Sequence, residues 1–312
     1  MSNQADIIET TRAAVMAIRD KEGITAAAIA RDSEVSTAAL SQFLRGTYTG
    51  NNTDVAVKLD KWLDSRAARQ SVVAAVVAPR FIETETVSNI WRTLVYAQAQ
   101  RRIAIIYGNP GVGKSAALRE FAERNPNAWL ITIKPSTASL VECLSEFADT
   151  LGLSDAPRRA GPLCRTIRRR IAGTNGLLIV DESDHLNYDV YEELRLLQEE
   201  TGIGLALCGN HKVYSKLTGG NSRSVDFARL FSRIAKKIVI EGVLAGDVDA
   251  IADAWQLTGD KERRLIRQLA AKSGALRTVS TTLDLAAIIA QGTGEALSER
   301  HIRAAVKDLE GV

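Results

Sequence analysis

A glycine-rich run that ends in lysine and serine is the strongest chemical signal in this sequence. Residues 108–115 read Gly-Asn-Pro-Gly-Val-Gly-Lys-Ser, and they follow an apolar run that ends at Tyr107. A strand, a glycine loop and a helix in that order form a P-loop, whose backbone N–H groups surround phosphates. Lys114 is expected to contact the β- and γ-phosphates, and the Ser115 hydroxyl to bind Mg²⁺. The spacing therefore predicts a nucleoside triphosphate site.

Two acids follow a second apolar run, Leu177–Val180. Asp181 is suited to bind Mg²⁺ through a water molecule. Glu182 is suited to orient and deprotonate the attacking water. Either acid alone could simply cap a helix, but the pair after a P-loop favours catalysis. The predicted nucleotide-binding residues are Gly108, Asn109, Pro110, Gly111, Val112, Gly113, Lys114, Ser115 and Asp181.

Three weaker polar signals come later in the chain. Asn210 follows the apolar run 204–208 and is placed to hold the attacking water. Arg229 and Arg233 precede the last apolar run, four residues apart in a segment predicted to be helical, and either could reach the phosphates of a neighbouring subunit. Arg277 opens a helix in the tail and is placed to cover the nucleotide.

Short apolar runs alternate with helical patterns from Phe81 onward, which predicts an α/β fold. Strands are expected at 101–107, 129–133, 177–180, 204–208 and 237–240, in a parallel sheet with an inserted central strand. After Gly246 the pattern is helical, with helices near 247–256, 260–272, 275–291 and 298–309. The predicted domains are a helical head (1–65), a linker that is in part helical (66–80), the α/β core (81–242) and a helical lid (243–312).

The head has the spacing of a repressor-type helix-turn-helix. Ala30 lies at the predicted helix crossing, and Val35 and Leu40 are expected to close the small core. Glu34 occupies a turn position where glycine is common. A plain helical bundle for protein contacts is the alternative. The outward residues that would contact DNA are Ser36, Thr37, Ser41 and Gln42.

An arginine cluster precedes the second motif and is a candidate DNA surface. Residues 158–170 hold six arginines and no acid, so an anion would relieve their mutual repulsion. A solvated helix face is the alternative. The candidate phosphate contacts are Arg158, Arg159, Arg165, Arg168, Arg169, Arg170 and the loop residue Lys212.

Composition excludes several classes of protein. Of the 312 residues, 46% are hydrophobic and 25% are charged, which is typical of a globular chain rather than a disordered one. The longest apolar run, residues 72–78, is far shorter than the ~18 residues of a membrane span. A net charge of only +3 means that DNA binding must depend on local patches. With three scattered cysteines and no visible leader sequence, we expect a cytoplasmic protein.

The five nucleotide-site motifs described above, in their order along the chain, resemble those of the AAA+ ATPases. The P-loop corresponds to Walker A, Asp181 and Glu182 to Walker B, and Asn210 to the first sensor. Arg233 corresponds to the arginine finger in the Leu-x-Ser-Arg form of that motif, and Arg277 to the second sensor in the lid. The resemblance implies ATP and Mg²⁺ as cofactors, and catalytic roles for Glu182, Asn210, Arg233 and Arg277.

The whole chain further resembles the Mu B-type transposition proteins, which are target-selection ATPases. The runs that carry this resemblance are residues 79–84, 108–115, 155–159, 192–199 and 226–236. It implies ATP-dependent assembly on duplex DNA as a filament with little sequence preference. It also implies delivery of target DNA to a Mu-type transposase (the A protein), stimulation of strand transfer, release on hydrolysis that spares the element's own ends, and a location in the bacterial host cytoplasm.

Two other functions remain open from the residues. One is a helicase loader or replication helper of similar build. The other is a repressor-like module in which nucleotide only switches DNA affinity. An intact Glu182 with a candidate trans arginine favours turnover over such a switch.

Overall fold

The computed structural model describes residues 2–75, 79–218 and 232–311. The chain divides into two compact units, Met1–Val77 and Ala78–Val312. The division falls inside the stretch predicted as a linker. The sequence divides the α/β core from the helical lid at residue 243. The second unit contains both, because the two pack against each other.

Helices account for most of the first unit. Within residues 2–75 they are α1 (Ser2–Glu22), α2 (Ala26–Asp32), α3 (Thr37–Leu44) and α4 (Asn52–Ala75). Thr25 caps α2 by accepting a hydrogen bond from the Ala28 N–H, and Ser36 caps α3 by accepting one from Ala39. Apolar side chains from all four helices form one core that includes Val15, Ile29 and Leu59.

Helices α2 and α3 are joined by a tight turn whose backbone needs a left-handed residue. Glu34 supplies it with a φ of 56°, although glycine would adopt this conformation without a steric penalty. Ala30, Val35 and Leu40 are buried around the turn, as the helix-turn-helix pattern predicts. The segment predicted as a partly helical linker is helical through residues 66–75, because α4 continues to Ala75.

A parallel sheet forms the centre of the second unit. Its strands are β1 (Ile103–Gly108), β2 (Ala128–Thr132), β3 (Leu177–Asp181), β4 (Gly204–Gly209) and β5 (Ile234–Ile240), in the order β2-β3-β4-β1-β5. The strand inserted between β1 and β3 is therefore β4, whereas β2, which comes between them in sequence, pairs with β3 alone among the described strands. Since the strands are parallel, Gly108, Asp181 and Asn210 all follow the same edge of the sheet.

Helices cover both faces of the sheet. They are α5 (Glu85–Gln100), α6 (Lys114–Arg124), α7 (Leu140–Thr150), α8 (Ala160–Ile171), α9 (Tyr188–Thr201) and α10 (His211–Thr218). Alternate strand residues enter two different cores, as the pleat requires. Ile105 and Val180 pack with α7, α8 and α9, while Ile106 and Ile179 pack with α5 and α6.

The lid consists of α11 (Ala245–Ala254), α12 (Asp260–Ala270), α13 (Ala275–Gly292) and α14 (Glu299–Glu310). A buried carboxylate joins it to the core. Asp247, in the first turn of α11, is fully buried and accepts hydrogen bonds from the backbone N–H of Thr86 at 2.9 Å and from its hydroxyl at 2.6 Å. Because a buried carboxylate needs such partners, Asp247 fixes the start of the lid against α5.

None of the helices in the described ranges combines the length and the hydropathy that a membrane crossing requires.

Candidate functional site

Three glycines give the loop between β1 and α6 a backbone that other residues rarely adopt. Gly108, Gly111 and Gly113 have φ values of 148°, 80° and 93°. A Cβ at Gly108 would lie 2.0 Å from the carbonyl oxygen of Ile240 at the end of β5, so glycine is required there. The Asn109 N–H donates to the same oxygen at 2.9 Å. The loop is therefore held against β5 before it enters α6.

Lys114 closes over this loop. Its Nζ donates to the carbonyl oxygens of Gly108 at 3.0 Å and Asn109 at 2.7 Å. Burial lowers the pKa of Lys114, while the Cys208 thiol and the carboxylate of Asp181 act in the opposite direction. An ammonium group that is partly buried and bound to neutral carbonyls is well placed to exchange them for a phosphate, since charge-assisted bonds are stronger.

The two acids after β3 lie beside this lysine. Asp181 is buried, and its Oδ1 accepts a hydrogen bond from the Glu182 N–H at 2.9 Å. Glu182 has a left-handed backbone, with a φ of 53°. Burial raises the pKa of Glu182, and the carboxylates of Asp181 and Asp184 raise it further. A glutamate with a raised pKa is a stronger base towards water than an ordinary exposed one.

Several of the residues predicted to bind or hydrolyse the nucleotide meet around one cavity of about 610 Å³. It is lined by Lys114 and Ser115 from the P-loop, Glu182 after β3, Asn210 after β4 and Arg277 from α13. Arg277 is exposed at the start of its helix. Side chains that lie more than 160 residues apart in sequence therefore face the same space, with donors and a base around it. This arrangement fits a triphosphate chain.

Asn210 is fixed in orientation by two hydrogen bonds. Its Nδ2 donates to Asp184 Oδ2 at 2.8 Å, and its Oδ1 accepts from the Lys212 N–H at 2.8 Å. The next residue, His211, lies with Nε2 3.2 Å from Asn109 Oδ1 and its ring edge-on to Tyr107. The loop after β4 is thus connected to the P-loop.

A second cavity, of about 600 Å³, also borders the P-loop. Pro110 lines both cavities. Apolar side chains line much of the second one, among them Val112 from the loop, Val243 and Val248 near the start of the lid, and Ala275. An apolar space next to a phosphate site can hold the base and ribose of a nucleotide.

Arg233 lies far from this site within its own chain. It immediately precedes β5, whose first residue, Ile234, is in register with Ile103 at the start of β1. At about 3.3 Å per residue, the length of β1 places Arg233 roughly 16 Å below the P-loop edge of the sheet. Its guanidinium lies 3.4 Å from a Glu199 carboxylate oxygen. Arg229 lies outside the described residues.

The four head residues that are predicted to contact DNA lie in α3 or directly before it. Ser36 is the N-cap and is exposed together with Thr37 and Gln42, whereas Ser41 is half-buried. Thr37, Ser41 and Gln42 therefore lie on α3, and Ser36 directly precedes it.

The arginine cluster coincides with α8 and its N-terminal approach. Arg165, Arg169 and Arg170 are exposed, as are Arg158 and Arg159 before the helix. Arg168 differs, because its Nη1 donates to Glu200 at 2.5 Å. Although residues 158–170 contain no acid, the cluster therefore has an acidic neighbour in the fold, since Glu200 on α9 lies beside it. Lys212, predicted in a loop, lies exposed in the first turn of α10.

Comparison with protein families assigns both parts of the second unit. Residues 97–217 match the AAA domain, and residues 232–309 match the family described as Mu B transposition protein, C terminal. Over 303 residues the chain is 50% identical to the ATP-dependent target DNA activator B of Escherichia phage Mu, covering 97% of this chain and 96% of that one. The chain belongs to the Mu B family.

Two further members of the Mu B family show the same relationship. The activator B of Escherichia phage D108 is 49% identical over 97% of this chain and 96% of its own length. The Mu-like prophage FluMu DNA transposition protein B of Haemophilus influenzae is 47% identical over 83% of this chain and 90% of its own. The predicted family and AAA+ fold are therefore confirmed, and this Mu B family chain is an ATPase.

The predicted site residues are chemically suited to binding and hydrolysing ATP. Lys114 is placed to bind the phosphates, Asn210 to present an amide N–H to them, and Glu182 to deprotonate water. Ser115 and Asp181 supply a hydroxyl and a carboxylate, oxygen ligands of the kind that Mg²⁺ prefers, so together they could hold it. A bound Mg²⁺ would neutralise phosphate charge.

Sequence reasoning missed several residues of the site. Arg119, on α6, lines the same cavity as Lys114. His211 and Asp184 are connected to Asn109 and Asn210, but nothing in their local sequence signals a contact. For Arg119, its place one turn after Ser115 was the available signal, because residues four apart share a helix face.

Proposed function

We propose that this chain assembles with ATP on duplex DNA with little sequence preference, selects target DNA for a Mu-type transposase and stimulates strand transfer. ATP hydrolysis would then release it, including from DNA near the element's own ends. Support comes from relatives that are named ATP-dependent target DNA activators and that align over nearly the whole chain. The proposed place of action is the bacterial host cytoplasm.

In the proposed hydrolysis, Ser115 and Asp181 hold Mg²⁺, and Glu182 takes a proton from the attacking water. Asn210 donates to the γ-phosphate or that water, and Arg277 covers the phosphates from the lid. Ser115, Glu182, Asn210 and Arg277 come from separate parts of the chain and line one cavity, which supports these roles. Positioning and charge stabilisation supply most of the catalysis in phosphoryl transfer.

One observation carries the proposal that subunits act on one another. Arg233 precedes β5 at the edge of the sheet opposite the phosphate cavity, so it is placed to complete the site of a neighbour and not its own. A trans arginine that stabilises the charge on the transferred phosphoryl is worth about 10³–10⁵ in rate in GTPases. Hydrolysis would then depend on assembly.

The exposed arginines of α8 are the proposed DNA surface. Arg165 and Arg169 are one helical turn apart and both exposed, so they can contact successive phosphates of one strand. Contacts of this kind carry no base information, which agrees with weak sequence preference. The small polar residues Ser36, Thr37, Ser41 and Gln42 around α3 form a second proposed contact.

Mixing two inactive variants tests the trans site. Arg233→Ala retains its P-loop and Lys114→Ala retains its arginine, so the mixture should recover part of the DNA-stimulated ATPase activity. Arg102→Ala is the matched control, because Arg102 is an exposed arginine at the same edge of the sheet as Arg233. It should remain active without a partner.

Electron microscopy with ATP and duplex DNA should show whether both variants join one assembly. If they co-assemble and no mixing ratio restores activity, Arg233 is not a trans finger. If the wild-type chain forms no ATP-dependent assembly on DNA, the proposed mode of target selection is wrong.

A further inference from the structure

The short helical turn after the two acids is fastened to its surroundings by side chains that the catalytic roles do not explain. This turn, Ser183–His185, follows Glu182 directly. The Ser183 hydroxyl donates to the carbonyl oxygen of Cys208 on β4 at 2.9 Å, and the Tyr191 hydroxyl donates to the Ser183 carbonyl. The turn is therefore bound both to the neighbouring strand and to α9.

A lysine from α10 holds the other end of the turn. The Nζ of Lys216 donates to the carbonyl oxygens of Asp184 and Leu186, the second at 3.1 Å. Lys216 is exposed, so its ammonium group retains access to water. These bonds explain how Glu182 keeps a left-handed backbone, since such strain persists only where its surroundings fix it.

Asp184 is the member of the turn that reaches the cavity residues. It is 8% exposed, and its Oδ2 accepts the hydrogen bond from Asn210 Nδ2 at 2.8 Å. Because Asn210 Oδ1 is already bound to the Lys212 N–H, the Asn210 amide cannot flip without losing both bonds. One Nδ2 proton is directed to Asp184, and Asn210 itself lines the phosphate cavity.

The second carboxylate oxygen of Asp184 has no hydrogen-bond partner among the described residues. A Cβ on Gly209 would lie 2.7 Å from this oxygen, so the carboxylate fits beside Gly209 only because that residue has no side chain. A buried, half-satisfied carboxylate costs stability, and such groups are expected where they serve function.

We propose that Asp184 is a positioning residue for ATP hydrolysis. Its side chain holds the Asn210 amide with an N–H towards the phosphates, while the bonds to its backbone carbonyl and to Ser183 hold the turn that follows Glu182. Two groups that act on the γ-phosphate and on the water thereby share one support. The inference rests on the proposed role of Asn210, and the experiment separates the two.

The test compares kcat with nucleotide affinity in full-length variants on duplex DNA. Asp184→Ala should lower kcat roughly tenfold to a hundredfold, the effect of losing a hydrogen bond to a charged group, and leave nucleotide affinity within about threefold. Asp184→Asn should recover most of the rate, since an amide oxygen can accept from Asn210. Asp189→Asn, which changes an exposed acid five residues away, is the control and should retain the wild-type rate.

The double variant Asp184→Ala, Asn210→Ala decides whether the two residues act together. It should be no more than about twofold slower than Asn210→Ala alone. If the two effects on kcat multiply in the double variant, or if Asp184→Ala loses nucleotide affinity as much as kcat, the role of Asp184 is merely structural. If Asn210→Ala is slow and Asp184→Ala is not, Asp184 is not the support. If Asn210→Ala retains full kcat, the role of Asn210 fails, and the inference fails with it.

Lys216→Met covers the case in which Asp184→Ala does not fold. This exposed residue holds the same turn from outside, so its loss should lower kcat several-fold with nucleotide affinity unchanged. A wild-type kcat for Lys216→Met would contradict the proposed support of the turn.

Discussion

Gly111 in the P-loop packs directly against the carbonyl oxygen of Gly274, which lies between α12 and α13 of the lid. A Cβ on Gly111 would lie 2.1 Å from that oxygen, well inside any contact that real side chains make. Gly274 is the N-cap of α13, the helix that carries Arg277. The phosphate loop and the lid are therefore in backbone contact, and the position of one constrains the position of the other.

Replacing Gly111 with alanine should force the lid away from the P-loop. We expect weaker ATP binding and faster amide hydrogen exchange in α13, because the added methyl group cannot fit beside Gly274. The left-handed φ of 80° adds a penalty of about 1–2 kcal/mol for any non-glycine residue.

Gly113→Ala is the matched control for that penalty. Gly113 also has a positive φ, of 93°, but a methyl group at this position would lie 3.8 Å from its nearest neighbouring atom, on Leu276. The variant should lose stability without opening the lid. Equal exchange rates in α13 for the two variants would contradict the steric explanation.

Glu182→Gln should bind ATP and DNA but hydrolyse ATP about 10²–10⁴ times more slowly, because the amide cannot accept the proton from water. Complexes on DNA should then outlast those of the wild-type chain, which dissociation from labelled duplex after ATP removal measures. Glu193→Gln, on α9, is a control that leaves the cavity intact. Rapid hydrolysis by Glu182→Gln would exclude this residue as the base.

Neutralising Arg165, Arg169 and Arg170 should weaken DNA binding equally for all sequences. Each lost phosphate contact should reduce the slope of log affinity against log salt by about 0.9. Arg168→Gln is the matched control, since its guanidinium is already engaged by Glu200, and its slope should change less. If the triple variant keeps the wild-type slope, the DNA surface lies elsewhere.

Acid should destabilise the lid through His301. Burial lowers the pKa of this histidine below its usual 6.5, and the positive charge of Arg300 lowers it further. A carboxylate oxygen of the half-exposed Glu295 lies 3.2 Å from its Nε2. The neutral ring accepts the Ser298 N–H at Nδ1. A depressed pKa gives stability that is present above 6.5 and lost as pH falls through the folded-state pKa.

The thermal midpoint of the wild-type chain should therefore fall more between pH 7.5 and pH 5 than that of His301→Gln. Other acid-sensitive groups are common to both chains and cancel in the comparison. Parallel curves for the two chains would show that His301 does not contribute.

The elements and motifs of the core could be predicted from sequence because their signals are local. The five apolar runs became the five strands, with β5 beginning at Ile234 rather than residue 237. The P-loop and the acids Asp181 and Glu182 are recognisable because each motif depends on one strand end. The left-handed turn at Glu34 was also predictable, although its residue is not glycine.

Contacts between distant segments could not be predicted in this way. Glu200 neutralises Arg168 from 32 residues away, and His211 meets Asn109 across 102 residues. Each depends on how α9 and α10 pack on the sheet, which apolar periodicity does not specify. The cavity lined by Val112 and Val248 likewise brings together the P-loop and the lid, whose first helix Asp247 joins to α5.

The distance between Arg233 and the P-loop gives any assembly built on this arginine a direction. Each subunit would give its arginine to one neighbour and receive one from the other, a head-to-tail contact that leaves the two ends unlike. At one end a nucleotide lacks its arginine, and at the other an arginine lacks a nucleotide. ATP would then persist longest in the terminal subunit whose nucleotide lacks an arginine. Loss of subunits would begin elsewhere, and a single residue would set the direction in which it proceeds.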